Sequence, residues 1–220
     1  MALALLVLAP PAAQGQAGPR YREFELGSSL ASVAQLTDLT TDQAKVIHRR
    51  PAVLSELEWR PRYFRKGMSS QTDPVDRMVF GFYDDRLYRI VVDYDPRRTE
   101  GMTQADIEAA IVASYALPSK AVPAPARAGV KYGDADQLLA MWGDADSTLS
   151  LFRVSYPTNF RLVILSNRIA ELARVASTEA ARLDASEAPQ REIAQKQKEA
   201  ADARAAEETA KRANLPAFRP

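Results

Sequence analysis

The 220-residue chain contains no cysteine. That absence excludes disulfides, a thiolate nucleophile, a cysteine-based zinc site and a lipid anchor attached through an acylated cysteine. There is a single histidine, His48, followed directly by Arg49 and Arg50. With no G-x-S-x-G turn in the chain, a serine–histidine–carboxylate arrangement has no foundation, and His48 reads as an exposed or structurally bonded side chain. Glycine-rich phosphate loops of the GxGxxG and GxxxxGK[ST] patterns are missing as well. The formal charge is only +1, so no global field draws the protein onto DNA or an anionic membrane, and nucleic acid is not an expected partner. No apolar run approaches the roughly 20 residues that cross a bilayer, so no transmembrane span is expected.

What is present argues for a folded core: 46% of residues are hydrophobic and 26% charged, an ordinary balance for a globular protein. The first ten residues read MALALLVLAP and run into PAAQGQAGPR. An apolar stretch entering small residues is the pattern of a secretory signal, although no Lys or Arg precedes Arg20. Residues 1–19 are therefore expected to be a signal peptide and the protein to be periplasmic or secreted.

A helix is predicted over Leu26 to Asp38, capped by Ser28 or Ser29, with Leu30, Val33 and Leu36 on one face. Thr40 to Gln43 has the spacing of a capping box for a second short helix. Leu57 to Phe64 reads as a strand that Pro61 confines to an edge or bulge. Asp76 to Tyr83 and Leu87 to Tyr94 are rich in aromatic and β-branched residues and predict a hairpin across Asp84 to Arg86. A second cycle starts at Gly101. Thr103 and Asp106 can cap a helix carrying Ile107, Ile111 and Tyr115, and a Pro/Ala-rich loop from Leu117 follows. A short helix is expected at Gln137 to Trp142, then a second hairpin from Leu149 to Tyr156 and Phe160 to Ser166 across Pro157 to Asn159.

The two cycles correspond. Gly27-x-Ser29-x-x-x-Val33 matches Gly101-x-Thr103-x-x-x-Ile107 at an offset of 74 (101 minus 27), and the hairpins match at 73 (149 minus 76). The expected fold is thus α+β: two tandem helix-plus-antiparallel-hairpin units, 20–98 and 99–167, forming one head. From Arg168 alanine and charge dominate, with ten basic and nine acidic side chains between Arg168 and Arg219. Residues 168–220 are expected to form a helical tail, polar on nearly all sides and projecting into solvent, with Pro189 starting a second segment or kinking a continuous one. Lacking a sustained apolar heptad, the tail is expected at most to self-associate weakly.

Few residues carry chemistry. The tetrad Gly-Asp-Ala-Asp occurs at Gly133 to Asp136 and Gly143 to Asp146. Neither copy continues as a calcium loop, and the first reads as the cap of the Gln137 helix, the second as a turn into a strand. No catalytic residue, metal ligand or cofactor is assigned. A basic-aromatic segment, Trp59 to Lys66, is the first place to look for a partner surface, together with outward strand positions: Trp59, Arg60, Arg62, Tyr63, Tyr83, Arg89 and Tyr156.

The repeated G-x-[ST]-x-x-x-[VI] helix start followed by a hairpin resembles the small outer-membrane assembly lipoproteins of the SmpA/OmlA/BamE type. It is also similar to tandem-repeat β-lactamase inhibitor proteins. The second resemblance implies a concave protein-binding surface built by two helix-plus-sheet units. The tail, ending AFRP, resembles that of uncharacterised secreted bacterial proteins. The leading expectation is a non-enzymatic, exported protein that binds another protein or serves envelope assembly. The alternatives are an envelope enzyme or small-ligand binder with a site between the two units, and an oligomeric scaffold joined through the tail.

Overall fold

The structure, a computed structural model, describes residues 20–61, 64–65, 68–69, 73–115, 136–155, 158–217 and 219. Two short strands, β1 (Arg20–Tyr21) and β2 (Phe24–Glu25), open the described chain as a hairpin, and α1 (Leu30–Thr37) follows. Next come β3 (Lys45–His48), β4 (Leu54–Trp59), the two-residue strands β5 (Phe64–Arg65) and β6 (Met68–Ser69), β7 (Val75–Tyr83) and β8 (Arg86–Tyr94). Then follow α2 (Gln104–Tyr115), β9 (Gln137–Gly143), β10 (Ser147–Ser155), β11 (Thr158–Ser166) and α3 (Asn167–Asn214). Seven strands form one antiparallel sheet in the order β3-β4-β7-β8-β11-β10-β9.

Period-two alternation sorts the side chains of this sheet onto two buried faces. Met78, Phe80 and Phe82 of β7, Leu87, Ile90 and Val92 of β8, and Leu162 and Ile164 of β11 form the main core with Val33, Ile107 and Ile111 from α1 and α2. Val91, Phe152, Val163 and Leu165 point the other way, where Ala170 of α3 packs against them. Both faces are covered, so the central strands read as apolar runs.

The helix starts follow from local chemistry. Ser29 caps α1, its hydroxyl accepting from the Ser32 amide at 3.2 Å. At α2 the cap is reciprocal: the Asp106 carboxylate accepts from the Thr103 amide at 2.8 Å, and the Thr103 hydroxyl accepts from the Asp106 amide at 3.3 Å. Each helix is preceded by a left-handed glycine, Gly27 (φ 95°) and Gly101 (φ 79°). A Cβ at either would meet nothing within 4 Å, so only the backbone conformation demands glycine there. Gly101→Ala is accordingly expected to cost about 1 kcal/mol, the penalty of holding an L-residue in that region. A urea midpoint equal to that of the parent chain would contradict it.

Several expectations need correction. Gln137 to Trp142 is a strand, not a short helix: Trp142 pairs with Leu149 and Ala140 with Leu151 across the sheet, with a bulge beyond. An uninterrupted apolar run has no period-two signal when both of its faces are buried, so hydrogen bonding to β10 decided the conformation. Asp136 therefore caps no helix and binds Arg161 instead. On α1 the buried positions are Val33, Ala34 and Thr37, while Leu36 is exposed. Thr40 to Gln43 does form the capping box, but on a single 3-10 turn. The first hairpin turns on Asp84 and Asp85 alone, both with positive φ, and Arg86 joins β8; Thr158 and Asn159 likewise lie inside β11. The Pro/Ala-rich loop falls outside the described residues.

The tail is one continuous 48-residue helix, about 72 Å long at 1.5 Å per residue. Its first turns are seated on the sheet through Ala173, Ala176 and Ala180 at helical spacing, the first two against Ala52, Leu54, Tyr83 and Tyr88. Alanine allows close approach, and the tyrosines fill the gap from below. Beyond Asp184 the helix is exposed almost throughout. Pro189 neither begins a segment nor ends the helix. Its ring removes the amide that would bond the Ala185 carbonyl, and the Arg191 guanidinium donates to the neighbouring Asp184 carbonyl at 2.8 Å.

Candidate functional site

The sequence-derived surface residues do not assemble into one patch. Trp59 ends β4 half-buried, packed against the main core with its ring centroid 6.4 Å from that of Phe24. Arg60 is exposed and paired with Glu58 and Asp76. Tyr83 lies on the opposite face of the sheet, beneath α3. Arg89 is bonded to Glu56, with its guanidinium 5.6 Å from the Tyr88 ring. Arg62, Tyr63 and Tyr156 lie outside the described residues. His48 ends β3 in a hollow of about 240 Å³ beside Ala180, Leu183 and Asp184 of α3. The second Gly-Asp-Ala-Asp forms the β9–β10 turn as expected: the Asp144 carboxylate accepts from the Asp146 and Ser147 amides at 2.9 and 2.8 Å.

A cleft of about 810 Å³ opens instead where the β1–β2 hairpin, the end of β8 and α2 meet. The hairpin is held by charge. Arg22 adopts positive φ and donates two bonds to Asp73, at 3.0 and 2.7 Å, and Asp73 also accepts from the Val75 amide at 3.0 Å. Burial alone would raise the Asp73 pKa, but the bonds from Arg22 and Val75 outweigh it and hold the carboxyl below its usual range. This anchor places Tyr21 beside Tyr94, the last residue of β8, in the wall of the cleft. From the other side α2 contributes Ile107, Ala110, Ile111, Ser114 and Tyr115, and Met102 sits at the mouth.

Three tyrosines thus share one wall, and burial pushes each hydroxyl above its ordinary pKa. They remain neutral donors and acceptors at any physiological pH. Because the folded-state values are raised, the associated stability is complete below the unfolded value near 10 and is lost as pH rises beyond it. Circular dichroism and phenolate absorbance followed together should show these hydroxyls ionising only as the fold is lost above about pH 10. Full ionisation of all the tyrosines with the folded signal intact would contradict that.

Among the described residues, the cleft wall carries two arginines, Arg20 and Arg22, and no carboxylate, histidine or lysine. Such a set binds and orients: it offers apolar surface, phenolic hydroxyls and positive charge, but no base to take a proton. Comparison with protein-family models, with curated proteins and with solved structures found no match to this chain.

The sequence offers a site between the two units as an alternative but does not mark the residues of this cleft. Tyr115 could be placed on a helix face and Tyr94 at a strand end, but their meeting with Tyr21 depends on how α2 and the hairpin cross the sheet.

A second polar cluster lies on the α3 side. Arg77, Asp93 and Arg161 occupy opposed positions on β7, β8 and β11. One Asp93 oxygen accepts from Arg77 at 3.0 and 2.6 Å, the other from Arg161 at 2.6 Å, and Arg161 also donates to Asp136 at 2.8 Å. Every charge here has a partner, so the cluster is a structural clamp across the middle of the sheet.

Proposed function

We propose that this protein is an exported, non-enzymatic binding protein that takes its ligand in the cleft between the two halves of a duplicated head. The observation that carries the reading is the cleft itself: about 810 Å³, walled by Tyr21, Tyr94 and Tyr115 with arginines at the rim and no carboxylate. That volume falls within the roughly 300–1,000 Å³ common to small-ligand sites. The ligand reading is thereby favoured over docking at the sequence-derived surface residues, of which Trp59 and Tyr83 lie on opposite faces of the sheet.

Duplication is supported by more than spacing. Gly27 and Gly101 share a left-handed backbone three residues before a helix, and Ser29 and Thr103 both cap. β8-β7-β4 and β11-β10-β9 run outward in mirrored order from the central antiparallel β8–β11 pair. On this reading the cleft lies between units, since the hairpin and β8 belong to the first and α2 to the second. The tail acts as a spacer, seated by its alanines and carrying the head away from whatever its far end meets. The leader MALALLVLAP supports export to the periplasm or beyond.

Native mass spectrometry of the protein purified from the envelope of its own host tests the site. A bound mass is expected on the parent chain and should be lost from Ala110→Trp, because Ala110 is an exposed residue of the cleft wall whose enlargement fills the site without entering the core. Retention of the same mass by that variant would refute the reading. Cell fractionation with N-terminal sequencing tests export, and a cytoplasmic chain still beginning at Met1 would refute it.

A further inference from the structure

The charges and shape of the cleft, taken together, narrow its ligand. Arg22 is committed to Asp73 by a bidentate bond, and its positive charge is neutralised there. Arg20, exposed on β1 two residues earlier and opposite Glu25 in the hairpin, makes no ion pair among the described residues, so one cation outside any salt bridge stands at the rim. Below it the wall is apolar: Ile107 and Ile111 are buried in the floor, Ala110 lies between them, and Met102 is half-exposed at the mouth. The Tyr115 hydroxyl, on the α2 wall of the cleft, has no hydrogen-bond partner among the described residues and is available to donate.

We propose that the cleft binds a small amphiphile with a single carboxylate on an apolar chain, the carboxylate meeting Arg20 and Tyr115 and the chain lying along α2. A phosphate monoester carries nearly two negative charges and would want a second free cation, which the Arg22–Asp73 bond withholds. A neutral amphiphile would leave Arg20 unused, and a cationic one would be repelled. A guanidinium and a phenol together give the charge-assisted hydrogen bonds that carboxylates take best. This inference rests on the cleft being the binding site and adds the class of ligand.

Titration calorimetry of the full chain with dodecanoate, dodecanol and dodecyltrimethylammonium tests it. Dodecanoate is expected to bind one to one and about tenfold or more tighter than dodecanol, a charge-assisted bond being worth at least that ratio. The cationic analogue should bind least. Arg20→Gln, on an exposed strand residue, should remove most of the preference for dodecanoate while leaving dodecanol unchanged. Ala110→Trp should weaken both, with its circular dichroism unchanged. Equal affinity for dodecanoate and dodecanol, or a preference that survives Arg20→Gln, would overturn the proposal. A peptide ending in a free phenylalanine carboxylate that binds where dodecanoate fails would overturn it too, in favour of a protein chain end. If Ala110→Trp releases the native ligand yet dodecanoate does not bind the parent chain, the ligand class fails and the site stands. If dodecanoate binds the parent chain and Ala110→Trp equally well, the site fails with it.

Discussion

Replacing Asp93 by alanine is expected to lower the free energy of unfolding by about 3 kcal/mol, the low end of what removing one partner from a buried ion pair costs. The Asp93 side chain is 4% exposed and stands between two guanidiniums on neighbouring strands. Without it, Arg77 can turn toward solvent, since its side chain is 32% exposed. Arg161 is more confined, at 14%, but keeps Asp136. That remaining partner places the loss at the lower bound. Asp93→Asn should cost less, because an amide oxygen still accepts from one arginine. Urea denaturation measures both, and a loss below about 1 kcal/mol for the alanine variant, the worth of an exposed pair, would show that the cluster is not a clamp.

Phe80→Ala is expected to cost more, about 3–5 kcal/mol, as truncation of a fully buried aromatic usually does. Phe80 lies opposite Leu57 on one neighbouring strand and Ile90 on the other. Its ring centroid is 4.7 Å from that of Phe24 on β2. Loss of the ring therefore leaves a cavity and also loosens the hairpin that positions Tyr21 and Arg22. Amide exchange in residues 20–25 should accelerate more than in α3, which touches the other face of the sheet. Equal acceleration in both would mean that the hairpin does not depend on this contact. Phe80→Leu, conserving most of the volume, should cost under about 1.5 kcal/mol.

Elements whose signals are local were legible from the residues alone. The caps at Ser29 and Thr103 and the glycines before them satisfy backbone requirements within a few positions. The aromatic and β-branched runs of β7, β8, β10 and β11 have strong strand preference of their own. The tail is helical because alanine, glutamate, lysine and arginine favour helix wherever nothing opposes it. Gln137 to Trp142 has a helical signal because leucine, alanine and methionine favour helix in isolation, while the edge of β10 offers a ladder that outweighs that preference. Arginine and proline around Trp59 give it the sequence pattern of a surface ring, although its position on β4 turns it toward Phe24 and the core.

By itself, then, the chain's sequence determined its α+β character, its helix starts, its main hairpins and its long polar tail, each set by propensity, capping or turn chemistry acting over a few residues. The tertiary structure decided the rest. Seven strands joined into one sheet with β8 against β11 at its centre; three alanines of the tail found a seat over Tyr83 and Tyr88; and Tyr21, Tyr94 and Tyr115 met around a cleft. These juxtapositions join residues far apart in the chain, and burial of complementary surfaces selects them, which no short window of sequence encodes.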